Sequence, residues 1–374
     1  MDELLSQQNK QEKQHQMIKQ FIQRMEQLAQ QTQLAAQQVN EQVQQTQQLF
    51  QQAIQLAHNN SKNRNSQSLD ENNKQKPMNN NLVTTNISNL WQSYITNSLY
   101  IGFNAHALQV IEDQNIRNLY ERATQYAQDT ITQLEGMFHE MDFPIPIGFT
   151  EADVNLKAPR LFTDEFLLYF LHTMTANGMV GYGLSLSTSV GKQVRELNKN
   201  GYNHSIELYE KSLELMLSLK LFDNFPQVPI PTTPEFVHEQ GFILNFTKDQ
   251  KRPLDILEIS SLFANLKTVI MHKAIAIAFS QVANLKEVRM VLRENVETLE
   301  KSIEEFASLL HNDFLTSLRL WDTNITNSNI PPYSDRLMLT LIAALISLSV
   351  SNFGSSLGVS TRIDLAPMYA TAIS

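Results

Sequence analysis

Glu235 and His238 form a Glu-x-x-His in this chain. On a helix that spacing points both side chains to one face. A dinuclear metal centre inside a four-helix bundle is built this way, with inward carboxylates on the two other helices. Here, however, the pair sits among Pro226, Pro229, Pro231 and Pro234, where no helix is expected. Three other residues are weak metal candidates: Glu135 with His139 at i, i+4, and His311, which recurs in step with His139. A carboxylate and an imidazole four apart form a surface pair on any helix. Histidines near a helix C-terminus are also favoured by its dipole and free carbonyls. Elsewhere, the Glu residues of the four helical stretches have no His three positions on. No Gly-rich phosphate loop precedes a strand, no Ser-His-Asp set stands out, and the chain lacks cysteine. The expectation is therefore no catalytic residue and no cofactor.

The elements that hold these residues come twice. Ile87-Ser88-Asn89-Leu90-Trp91 returns as Ile259-Ser260-Ser261-Leu262-Phe263 after 172 positions. Arg117 returns as Arg289, His139 as His311, Pro159 as Pro331, Asp164 as Asp335 and Tyr182-Gly183 as Phe353-Gly354, all at 171 or 172. Residues needed in both copies are expected to do structural work. Arg117 and Arg289 open second helices, Thr163 or Asp164 caps the third helix of the first copy and Asp335 that of the second, and Gly183 and Gly354 allow close helix approach.

Hydrophobic periodicity divides the first copy into four helices: about 88–112, 115–141, 164–186 and 192–221. Leu90, Tyr94, Leu99, Phe103, Leu108 and Ile111 are inward candidates on the first. Leu119, Ala123, Tyr126, Ile131, Leu134 and Phe138 are those on the second. Between the second and third helices, Phe143-Pro144-Ile145-Pro146-Ile147-Gly148 breaks the helical period. Two antiparallel pairs joined by one long connection make a ferritin-like bundle. The second copy repeats this as 258–283, 286–312 and 334–357, joined by the loop 313–333. The fold class is thus all-α, two tandem ferritin-like four-helix bundles. The domains are an arm (1–57), an Asn-rich disordered linker (58–82), a first bundle (83–221), a Pro-rich strap (222–257) and a second bundle (258–374). Tyr94, Tyr100, Phe103, Tyr126, Tyr169 and Tyr182 could line a small-molecule cavity at a bundle centre, although core packing explains such residues as well.

The loop residues 143–150, with Asp153-Val154-Asn155-Leu156 and Ala158-Pro159-Arg160-Leu161-Phe162, resemble family 3231 among the domains of unknown function. Phe279-Ser280-Gln281-Val282-Ala283, Lys286-Glu287-Val288-Arg289 and Asn352-Phe353-Gly354 resemble its second half. The resemblance covers about 83–374. It implies a duplicated ferritin-like fold of Bacillus-type spore formers, with no activity attached. It also implies a longer final helix than the sequence holds. The second bundle is therefore expected to be C-terminally incomplete, with a groove that an amphipathic helix could fill.

The arm carries 21 Gln in residues 1–57. Ile18, Ile22, Met25, Val39, Val43 and Phe50 lie on a seam that steps by 4 and 3, the period of a coiled coil. Self-association, or docking on a partner protein, is expected there. The formal net charge of −9 argues against a nucleic-acid partner. The chain opens Met1-Asp2-Glu3, unlike a signal peptide. The apolar run 337–350 is short of the ~20 residues a bilayer needs, so a membrane partner is not expected. The reading from sequence is a cytoplasmic, spore-associated, non-enzymatic structural or interaction protein. The alternative is a ferritin-like metal- or small-ligand-binding protein with atypical ligands.

Overall fold

The computed structural model describes residues 84–223, 226, 253–312, 318–362 and 364–373. The arm with Ile18, Ile22, Met25, Val39, Val43 and Phe50, the linker, and most of the strap with Glu235 and His238 lie outside them. The described residues fall in one compact unit, Met78–Ser374. They are helical: α1 (Thr84–Val110), α2 (Gln114–Glu140), α3 (Asp164–Thr188), α4 (Lys192–Ser218), α5 (Ile256–Val282), α6 (Lys286–Asn312), α7 (Asp335–Val359) and α8 (Leu365–Ile373). They make two tandem bundles. In the first, α1 packs on α2, α2 on α4 and α4 on α3. In the second, α5 packs on both α6 and α7, and α7 on α8. The helix α8 has 9 residues where its counterpart α4 has 27.

The recurring residues bind backbone. Thr163 and Ser334 cap α3 and α7, accepting from the amides of Phe166 and Leu337. Of the two cap candidates in the first copy Thr163 is the cap and Asp164 is not, and Asp335 does not cap α7, which corrects the expectation for it. Each Asp is the first residue of its helix and reaches across to the preceding interhelix turn. Asp164 accepts from the amides of Glu112 and Asp113 at 2.9 and 2.7 Å. Asp335 accepts from those of Asn284 and Leu285 at 2.9 and 2.8 Å. Arg117 donates to the carbonyls of Leu108 and Ile111, and Arg289 to those of Ala283 and Asn284. These are the free carbonyls that end α1 and α5. Asn86 accepts from the amide of Val190, and its counterpart Glu258 from that of Thr361. Each copy thus ties off the same backbone ends in the same way.

The two bundles meet through their long loops. Val154 bridges Tyr333, and Phe162 bridges Ile325, both antiparallel. A shift of 171 positions turns one pair into the other. The same holds for the amide of Asn155 on Pro332 O (2.8 Å) and that of Thr326 on Leu161 O (3.0 Å). It holds again for Thr163 on Asn324 O (3.0 Å) and Ser334 on Asp153 O (2.8 Å). Contacts exchanged in this way define an isologous, two-fold interface, built here within one chain. Side chains then break the symmetry. Asp153 takes the Ser334 hydroxyl at 2.7 Å and the Arg336 guanidinium at 2.7 Å, whereas on the other side Asn324 donates to Thr163 Oγ1 at 2.8 Å. Burial pushes the Asp153 carboxyl up, but Arg336, Ser334 and the Thr150 amide outweigh it and hold it below the usual carboxylate range.

One apolar core runs through this junction. Phe103 stacks on Tyr333 at 5.2 Å and lies 4.6 Å from Phe170, and Trp321 stacks on Tyr169 at 4.5 Å. A smaller cluster of Leu90, Leu134, Phe138, Val194 and Leu197 closes the far end of the first bundle. Among the described residues, two helices, Ile256–Val282 and Asp335–Val359, are long and apolar enough to cross a membrane. The most apolar window of the first is 83% buried in the fold, that of the second 39%.

Candidate functional site

Helix α1 is weakly amphipathic because its inner face is polar. Asn89, Ser93, Thr96, Asn97, Tyr100 and Asn104 follow one another at helical spacing and point to the centre of the first bundle. Small residues oppose them: Ala123 and Ala127 on α2, Gly178 and Gly181 on α3, Gly201 on α4. The result is a cavity of about 350 Å³. Its floor is apolar, made by Phe170, Leu171, Met174 and Leu208 together with Leu341, Leu345 and Leu348 of α7. It opens where α1 and α3 touch little, beside the exposed Gln92 and Gly181.

Close helix approach belongs to other glycines than the sequence suggested. A Cβ on Gly201 would lie 2.5 Å from the Tyr182 ring, and one on Gly178 would lie 2.7 Å from Ser205 Oγ. By contrast, one on Gly183 would meet only Tyr202 at 3.7 Å, and one on Gly354 nothing within 4 Å. Gly183 therefore does not account for the packing of α3 on α4, and Gly354 brings no close neighbour to α7.

The cavity wall is neutral. Asn97 donates to Ser93 O at 2.8 Å and to Tyr182 Oη at 3.3 Å, and Asn104 to Thr124 Oγ1 at 3.1 Å. Tyr100 donates to Met174 Sδ at 3.3 Å, a weak acceptor. Burial pushes the Tyr100 hydroxyl up to about 12, so it stays a donor. At the rim, Tyr126 stacks on His204 at 3.7 Å and donates to Glu207. Lys211 first, then Tyr126 and Arg122, hold the Glu207 carboxyl down to about 2. Burial lowers the His204 imidazole, against smaller upward pushes from Glu207 and Asp129. The donor set at the centre is amide and hydroxyl, with no carboxylate among the lining residues. It does not fit a carboxylate-bridged metal pair.

Of the six aromatic candidates, Tyr100, Tyr126 and Tyr182 line the cavity. Phe103 and Tyr169 lie in the main core, and Tyr94 donates to Glu135 at 3.2 Å. His139 and His311 are exposed near the ends of α2 and α6. Among the described residues, no three His, Asp or Glu side chains are grouped to hold a metal ion. Sequence reasoning missed the polar α1 stripe and the small residues facing it. The signal lay in comparing the copies. Asn97, Ala127, Thr175 and Asn177 become Val269, Leu299, Ile346 and Leu348 in the second bundle.

At the same level of the second bundle stand His272, Asn295 and Ser349, replacing Tyr100, Ala123 and Gly178. Both His272 ring nitrogens, Asn295 Oδ1 and Ser349 Oγ are buried without a hydrogen-bond partner. Burial pushes the His272 imidazole down to about 4, against a smaller push upward from Asn295.

The profile of one protein family matches the chain twice, over residues 70–233 and 242–374, one match for each copy. The chain belongs to the DUF3231 family. DUF3231 is described only as a protein of unknown function, so membership assigns no activity. No curated protein matches the chain. Among solved structures, a candidate spore coat protein from Bacillus halodurans is 18% identical, aligned over 40% of this DUF3231 chain and 94% of its own, with a TM-score of 0.33. A likeness that loose carries no weight for fold or function.

Proposed function

We propose that this protein is a non-enzymatic structural or interaction protein that assembles through its Gln-rich arm. The observation that supports this best is where the duplicated polar residues go. Arg117 and Arg289, Asp164 and Asp335, Thr163 and Ser334 all bind backbone ends, the work of a scaffold. The seam through Ile18, Ile22, Met25, Val39, Val43 and Phe50 has the spacing of a helix that docks on another helix, in a second copy or in a partner protein. A place in sporulation or the spore coat, with the chain inside the cell, is part of the proposal and rests only on the spore-former setting of the family.

Light scattering tests the arm. The full chain should run as an oligomer, and Ile22→Asp with Val39→Asp should reduce it to a monomer whose helical circular dichroism is unchanged. Two buried charges at seam positions cost about 3 kcal/mol or more, enough to undo a weak coil. An unchanged mass would remove the arm from the account.

A further inference from the structure

The cavity of the first bundle has an internal control. The duplication places corresponding helices in the second bundle, and there larger side chains stand at two of the cavity positions. Val269 and Leu299, both buried, replace Asn97 and Ala127. Helix α5 packs directly on α7, and Asn265 Nδ2 donates to Ser356 Oγ across them at 2.8 Å. The residues at the same two positions of the first bundle, Ser93 and Ser185, both line the open space instead. Folding by itself favours the filled form, since empty volume in a core is destabilising. One copy of the fold keeps about 350 Å³ open and lines it with ordered amides and hydroxyls.

We propose that the first-bundle cavity binds one small uncharged amphipathic molecule, with an apolar body on Met174, Leu345 and Leu348 and a hydroxyl, carbonyl or amide group on Asn97 and Tyr100. Size follows from volume. At ~30 Å³ per water-sized group, the space holds on the order of a dozen non-hydrogen atoms. Charge follows from the lining. No carboxylate, ammonium or guanidinium is among its residues, so an ion entering between α1 and α3 would lose water without gaining a counter-charge. Polarity follows from Tyr100, whose hydroxyl is spent on a thioether and would gain from an oxygen acceptor. The open seam beside Gln92 and Gly181 is the way in. This inference does not depend on the arm.

The test uses the full chain and two naphthalene probes, neutral 1-naphthol and the anionic 1-naphthalenesulfonate, followed by calorimetry and saturation-transfer NMR. The neutral probe should bind at one site, and the sulfonate at least tenfold more weakly. The variant Ala127→Leu/Asn177→Leu places the second copy's residues in the first and should abolish saturable binding with an unchanged or higher melting temperature. Ala127→Leu alone, a milder plug, should weaken binding at least tenfold, so the test stands even if the double variant folds poorly. Failure of 1-naphthol to bind saturably, equal binding of the two probes, or full binding by folded plugged variants would each overturn the proposal.

Discussion

Between pH 6.5 and pH 4 the folded chain should lose about 6 kcal/mol of stability, through two buried histidines. His172 and His272 are 5% and 1% exposed, and each is pushed from 6.5 down to about 4. For both, burial is the main cause. Lys267 adds a smaller push on His172, whose Nδ1 faces Ser212 Oγ at 3.1 Å and whose ring stacks on Tyr209. The unfolded chain therefore takes up protons near pH 6.5, and the native chain only near pH 4. Stability is full above pH 6.5 and falls as the pH drops, by about 3 kcal/mol for each imidazole. Asp153 and Glu207, held below the usual carboxylate range, add to the loss only at the acid end of that window, where the unfolded chain's carboxyls begin to take up protons. Urea midpoints measured at pH 7.5, 5.5 and 4.5 check this. His272→Leu should recover about half of the loss, and should raise stability at neutral pH by about 1–3 kcal/mol, because it removes two orphaned ring nitrogens.

Phe103→Ala should cost about 3–5 kcal/mol, the scale for emptying a fully enclosed aromatic site. Phe103 is 0% exposed and stands where the bundles join. Its ring meets Phe170 and Phe162 of the first copy and Tyr333 of the second, and its carbonyl accepts from Tyr333 Oη at 3.2 Å. The cavity left behind would have walls from both copies, and neither can close it alone. Phe143→Ala is the contrast. That ring rests on Phe138 in the small far-end cluster, and its removal should cost visibly less. Denaturant midpoints of the two variants and the parent separate them.

Much of the fold was legible because both copies obey local rules. The helix 286–312 has the expected limits, and α3 and α7 begin after the Thr and Ser that cap them. Leu90, Leu99, Phe103, Ile111, Leu119, Leu134 and Phe138 are buried as their periodicity required, while Tyr94, Leu108, Ala123, Tyr126 and Ile131 are half-buried. The Pro-containing loop was read as irregular, but its use was hidden. The exchange of Val154–Tyr333 for Phe162–Ile325 depends on how two bundles turn toward each other, and no local pattern encodes that. The reach of Asp164 and Asp335 is hidden for the same reason, since an Asp opening a helix caps it far more often than it reaches a distant turn. The cavity is hidden in the sequence because its space is made by what is small, Ala127, Gly178 and Gly201, rather than by large aromatic residues.

The duplication yields one folded body, locked by loops exchanged about an internal two-fold axis. Trp321 reports on it directly, being 0% exposed and stacked across the junction on Tyr169. In a Trp91→Phe chain, urea unfolding followed by Trp321 fluorescence and by far-ultraviolet circular dichroism should give one coincident transition. Loss of the fluorescence signal at lower urea, with a second helical transition beyond it, would show two bundles that fold apart and contradict the claim.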